Sequence, residues 1–185
     1  MKLGLRNKFL LPTVALLVLA LGVSTIISYN NASDALQQAA EAQMRRMAET
    51  TSRLIQAWLN DRKLNVTGWG GQRLFATALR QDQAGKQARE YANEQLARIA
   101  KDYEYYEGVI LLNPKGDILA SDNPATIGKI NLAGRGYFKQ GMRGEFSVSG
   151  VLKSRNSGNP IFVAAAPVKA DGKVVGVMAG VVDMK

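Results

Sequence analysis

The chain has 185 residues, 24 Lys plus Arg against 15 Asp plus Glu, a formal net charge of +9, and neither Cys nor His. That inventory excludes disulfides, thiol nucleophiles, Ser-His-Asp triads and the usual zinc sites. The positive charge is scattered, without a basic run or an aromatic-interleaved basic stripe, so nucleic-acid binding is not expected.

Residues 9–28 read FLLPTVALLVLALGVSTIIS without a charge. About 20 such residues match the roughly 30 Å hydrocarbon core of a bilayer as one helix. Lys2, Arg6 and Lys8 precede the stretch and no cation follows closely. The positive-inside rule then places residues 1–8 in the cytoplasm and everything after Tyr29 outside. A cleaved signal peptide is the competing reading, but the apolar run exceeds a usual h-region and SYNNASDA is a weak cleavage site. Pro12 is expected in the first turn or so, where its missing N–H costs little.

Leu36, Ala40, Met44, Met47, Thr51, Leu54 and Trp58 recur at helical spacing, which predicts a long helix from about Asn31 to Lys63 within a stalk segment 29–63. Beside that stripe, Ala32, Ala35, Ala39 and Ala42 suit close packing of a second copy, or reflect helix propensity alone. Gly68, Gly70 and Gly71 around Trp69 should break the helix. Shorter helices are expected after them, the second carrying Ala88, Tyr91, Ala92, Leu96, Ile99 and Tyr103 on one face.

From Gly108 onward the pattern becomes that of strands. GVILL and ILAS flank an Asn-Pro-x-Gly turn and read as a hairpin. FSVSGVLK, PIFVAAAPV and VVGVMAGVV are three more candidates, the last two joined by Asp171-Gly172, which predicts an antiparallel meander. The fold class is α+β: a membrane helix and a long helix, then a five-stranded antiparallel sheet with flanking helices on one side, over residues 64–185.

The connection AGRGYFKQGMRG crosses the sheet face, so Arg135, Tyr137 and Phe138 are the candidate ligand-binding residues. An Arg fork matches a carboxylate and its aromatic neighbours supply walls. The alternative is a solvated Arg beside core aromatics. Tyr103 and Tyr105 are expected on one strand face and Tyr106 on the other, with Tyr105 a further candidate if it reaches the pocket. Asp122 either receives an amine or caps the DNPAT turn. Asp102 and Glu104 sit together with nothing to drive their pKa values apart, GKINLAGRG lacks phosphate-loop spacing, and no catalytic, metal or cofactor site is expected.

The segments YYEGVILLNPKGDILASD, LAGRGYFKQGMRGEFSVSGV and SGNPIFVAAAPVKADGKVVGVMAGVVDM, in this order after a membrane helix and a long helix, resemble the Cache family of extracytoplasmic sensors of methyl-accepting chemotaxis proteins. The resemblance covers about residues 30–184 and is closest to the membrane-distal module of a double Cache domain. It implies a PAS-like sheet, a pocket beneath the connecting segment, a homodimer formed through the long helix, and an inner-membrane protein whose periplasmic module binds a small molecule and signals inward. A sensor histidine kinase, a nucleotide cyclase and a ligand-free dimerisation or binding-protein-docking module are the alternatives. In the amino-acid-binding subset Arg135 would hold the carboxylate. The family's Tyr, Asp and last-strand Asp fall here at Leu152, Ser154 and Val181, so the resemblance favours an organic acid, with an amino acid still possible. The family continues beyond the point reached at Lys185, which implies a fragment or a truncated product.

Overall fold

The computed structural model describes residues 5–184. Lys2 and Lys185 lie outside them. The chain divides into two compact units, Met1–Ile55 and Gln56–Lys185.

The first helix, α1, runs without interruption from Leu5 to Gly70. Within the first unit it is long and apolar enough to cross a membrane, with a mean hydropathy of 2.4 over its most apolar window. Because α1 is already helical at Leu5, Pro12 lies inside it and not in the first turn. The proline removes one backbone donor, while the Thr13 hydroxyl donates to the carbonyls of Phe9 and Leu10 at 2.8 and 3.0 Å. Further along, Leu36, Met44, Met47 and Leu54 are all exposed.

In the second unit α1 runs beyond Lys63, where the long helix was expected to end, passes through Gly68 and stops at Gly70, within the glycine cluster expected to break it. Packing overrides propensity here. Val66 and Trp69 are buried in the core, and a Cβ at Gly70 would lie 3.3 Å from the Pro167 carbonyl. Two helices follow, α2 (Arg73–Ala78) and α3 (Gln83–Asp102). Asp82 caps α3 by accepting the Gly85 N–H at 2.9 Å. Ala88, Ala92, Leu96 and Ile99 are buried as their spacing predicts, but Tyr91 is exposed.

Strand β1 (Tyr106–Leu112) turns into β2 (Ile118–Ser121). The turn is built by the Asn113 side-chain oxygen, which accepts the N–H groups of Lys115 and Asp117 at 2.8 and 2.9 Å. A long connection then leads to α4 (Gly136–Met142). The expected strand FSVSGVLK is two short pieces, β3 (Ser147–Val148) and β4 (Leu152–Lys153), both paired to β5 (Pro160–Ala170). The break falls where the Ser149 hydroxyl, not a carbonyl, accepts the Val163 N–H of the neighbouring strand at 2.9 Å. Strand β6 (Lys173–Asp183) follows a two-residue turn in which Asp171 and Gly172 both have positive φ, as such hairpins require.

The sheet is antiparallel in the order β2-β1-β6-β5-β3, with β4 also on β5. The meander and the α+β class match the sequence reading, but the sheet has six strands and both its faces are covered. One face packs on the end of α1, on α2 and on α3 through Val66, Phe75, Leu96, Val109, Met178 and Val182. The other packs beneath α4 and the connection through Ile110, Leu132, Phe138, Ile161, Val163 and Val177. Strand alternation sends successive side chains to opposite faces, and β1, β5 and β6 feed both cores in this way.

Candidate functional site

The second face of the sheet holds a cavity of about 90 Å³. Its floor is apolar, made by Ile110, Ile161, Val163 and Val181 from β1, β5 and β6. Its roof is the connection between β2 and α4, through Ile130, Leu132 and Arg135. Three bonds pin this roof over the hairpin: Leu132 N–H donates to the Gly116 carbonyl at 2.8 Å, and the Asn131 amide donates to the Lys115 carbonyl at 2.9 Å and to Asp117 at 2.8 Å. The side is closed by the turn after β4, where Arg155 donates to the Asn131 carbonyl at 3.1 Å. Pockets for drug-sized ligands span about 300–1,000 Å³, so this one suits a ligand of few heavy atoms.

Arg135 immediately precedes α4 and is half-buried in the lining, and its Nε is buried without a hydrogen-bond acceptor. Tyr137 is buried in the same lining. Burial pushes its hydroxyl up, and the charges of Arg135 and Arg155 oppose that shift. Asp122 leaves the end of β2 and leans over Gly108: a Cβ there would stand 3.2 Å from Asp122 Oδ1. That oxygen accepts the Val109 N–H at 2.8 Å. Burial raises the Asp122 pKa, with the Val109 hydrogen bond the main opposing influence.

Two candidates stand elsewhere. Phe138 follows Tyr137 on α4, and the roughly 100° step of a helix turns it away. It is buried in the apolar cluster between α4 and the sheet, outside the cavity lining. Tyr105 lies on the opposite face of the sheet. Strand β1 begins only at Tyr106, so the expected alternation does not operate before it. Tyr103, Tyr105 and Tyr106 instead gather in one aromatic cluster, and the rings of Tyr103 and Tyr106 pack edge-on against Trp69. There Arg62 stacks on Tyr105 with 3.8 Å to the ring centroid, Asn65 donates to the Tyr105 hydroxyl at 3.1 Å, and burial raises the Tyr105 pKa.

Glu107 also lines the cavity, and the sequence reading passed it over. Its signal was an acid at the head of an otherwise apolar strand. Leu152, Ser154 and Val181, where the resemblance puts the ligand groups of the amino-acid-binding subset, all belong to the lining. Among the described residues no group of three or more metal-ligating side chains occurs.

A family model described as "Cache domain" matches residues 32–185. No curated protein matches the sequence. Among solved structures, the sensor domain of the Vibrio cholerae histidine kinase DctB is similar at 21% identity and a TM-score of 0.69, over 80% of this chain and 57% of that one. The ligand-binding domain of the Pseudomonas aeruginosa amino acid chemoreceptor PctC, in complex with GABA, aligns at 21% identity and TM-score 0.59 over 79% and 62%. That of the Pseudomonas fluorescens chemoreceptor CtaA, in complex with L-serine, aligns at 16% and 0.59 over 80% and 60%. The chain therefore spans about three-fifths of these structures.

Proposed function

The chain belongs to the Cache domain family, and from that premise we propose that it is the ligand-sensing, non-catalytic input part of a bacterial receptor, binding a compact carboxylate at Arg135. The observation that carries this reading is the Arg135 guanidinium, with a buried Nε that has no acceptor, in the lining of a small cavity with an apolar floor. A buried donor without a partner is costly, and a ligand carboxylate relieves it with a charge-assisted bond. Tyr137 supplies a wall and a hydroxyl, and Asp122 stands ready for a donor on the ligand. The placement of Phe138, Tyr103 and Tyr105 outside the lining leaves that space open, which favours direct sensing over a filled-in docking module.

The apolar stretch of α1 anchors the protein in the inner membrane with the sensor in the periplasm, and the exposed stripe of Leu36, Met44, Met47 and Leu54 beside Ala35, Ala39 and Ala42 forms the homodimer contact. The output is that of a chemoreceptor in our reading. A histidine kinase is the second reading, favoured by the similarity in fold to the DctB sensor domain.

The test is a thermal-shift screen of the full chain in lipid nanodiscs against organic acids, amino acids, amines and purines, with Arg135→Ala beside it. At 100 times its Kd a single-site ligand adds about 2.7 kcal/mol. A carboxylate shift that disappears in the variant supports the assignment, and a shift retained in full by the variant overturns it.

A further inference from the structure

We propose that Glu107 is a second ligand-binding residue of this cavity, the acceptor for a cationic group, so that the ligand is a compact zwitterion and not a plain carboxylate. The proposal rests on the carboxylate reading of Arg135 and deepens it.

The lining carries charges of both signs: Glu107 and Asp122 against Arg135, Lys153 and Arg155. Lys153 and Arg155 are exposed, where pairing is worth little, but the half-buried Glu107, Asp122 and Arg135 would be expected to pair. Among the described residues no ion pair joins any of these five. Neutral donors hold each carboxylate instead. Glu107 Oε1 accepts from the Ser154 hydroxyl at 2.5 Å and Oε2 from the Ser157 hydroxyl at 2.8 Å. Asp122 Oδ1 accepts the Val109 N–H. On the cationic side, Arg155 is held by a backbone carbonyl and the buried Arg135 Nε has no acceptor.

Hydroxyls and amides fix a carboxylate in place without cancelling its charge. Each carboxylate oxygen accepts more than one hydrogen bond, so Glu107 retains capacity on both oxygens although both are already oriented. A site oriented before binding loses less entropy when a ligand arrives. The apolar floor lowers the polarity on one side of acid and base and so strengthens both attractions. A small molecule with an ammonium at one end and a carboxylate at the other complements this lining. A plain carboxylate leaves Glu107 and Asp122 facing its own negative charge.

Glu107 also fastens the turn after β4, because the Ser154 hydroxyl that donates to it accepts the N–H groups of Asn156 and Ser157 at 3.1 Å each. The experiment has to separate ligand contact from turn positioning. Full-length protein in nanodiscs is titrated calorimetrically with pairs that differ only in the amine: glycine and acetate, β-alanine and propionate, γ-aminobutyrate and butyrate. The wild type is expected to prefer the amino member of at least one pair by about tenfold or more, the scale of one charge-assisted hydrogen bond. Glu107→Gln should erase that preference while keeping the affinity for the plain acid. Ser157→Ala, which loosens the same turn and leaves the charge, should keep the preference, and Arg135→Ala should weaken both members. Equal binding of both members by the wild type overturns the proposal and leaves the carboxylate reading standing. A preference that survives Glu107→Gln, or that Ser157→Ala erases equally, overturns it too. Binding of neither series removes the carboxylate reading and this proposal together.

Discussion

Arg135→Ala should weaken the ligand and leave the ligand-free protein as stable as before, or more so. The two effects come from the same buried Nε without an acceptor. Removing it relieves an unsatisfied donor worth about 1–3 kcal/mol. Against that stands the apolar stem of a half-buried Arg, about 1 kcal/mol for a few methylenes partly removed from water. The net gain is therefore between nothing and about 2 kcal/mol. For a domain of this size 1 kcal/mol moves the midpoint by roughly 4 °C, so the Tm should rise by up to about 8 °C. A carboxylate ligand loses one charged hydrogen-bond partner, about 1.5–3 kcal/mol, or roughly 10- to 150-fold in Kd. Calorimetric melting without ligand and isothermal titration with it read the two quantities independently. A ligand-free Tm that falls by more than about 4 °C would show the guanidinium to be a structural partner, and the argument from its lack of an acceptor would fail.

Asp122 has a pKa raised by burial above its unfolded value, so its contribution favours the folded state at low pH and is lost as pH rises through the folded pKa. Asp122→Asn keeps an acceptor for the Val109 N–H and should flatten that slope in pH-dependent melting; an unchanged slope would assign it to other groups. Tyr105→Phe, on the opposite face of the sheet, loses the hydrogen bond from Asn65 and should cost about 0.5–1.5 kcal/mol in denaturant titration. It should leave every ligand Kd unchanged within about twofold, and a larger change would place Tyr105 in the site after all. Gly176→Ala sets a Cβ 2.4 Å from the Leu112 carbonyl and 2.6 Å from Leu79 Cδ1, so urea melts should show a loss of at least about 1–3 kcal/mol. Gly134→Ala meets nothing within 4 Å and serves as the neutral control.

Elements with a strong period or a strong turn were legible in the sequence: the apolar run, the buried positions of α3, the hairpin at Asn113 and the meander through Asp171-Gly172. Two misreadings share a cause, a contact with a neighbouring strand that local pattern does not contain. Gly68 reads as a breaker but lies within α1, which ends at Gly70, where a Cβ would come 3.3 Å from the Pro167 carbonyl. FSVSGVLK reads as one strand but divides where a serine hydroxyl replaces a carbonyl in the ladder. In the cavity, Arg135, Tyr137 and Asp122 stood out by residue type, whereas Phe138 and Tyr105 depended on a helix start and a strand start that are fixed only to within a residue or two. Glu107 was missed because its meaning comes from Ser154 and Ser157, some fifty positions away in the chain.

The sheet is a single layer shared by two cores, and that sharing makes them thermodynamic conjugates. Val181 of β6 lines the cavity while Val182 beside it packs on the helix side, with Val66 and Trp69 of α1 in the same core. Neither core can shift β6 without disturbing the other. Free-energy coupling of this kind is reciprocal: whatever the ligand does to the seating of the α1 end, a change in that seating does to the ligand's affinity by the same factor. On the proposed sensing role, a filled or trimmed side chain at Met178, in the core on the helix side of the sheet, should change the ligand concentration at which the cavity responds.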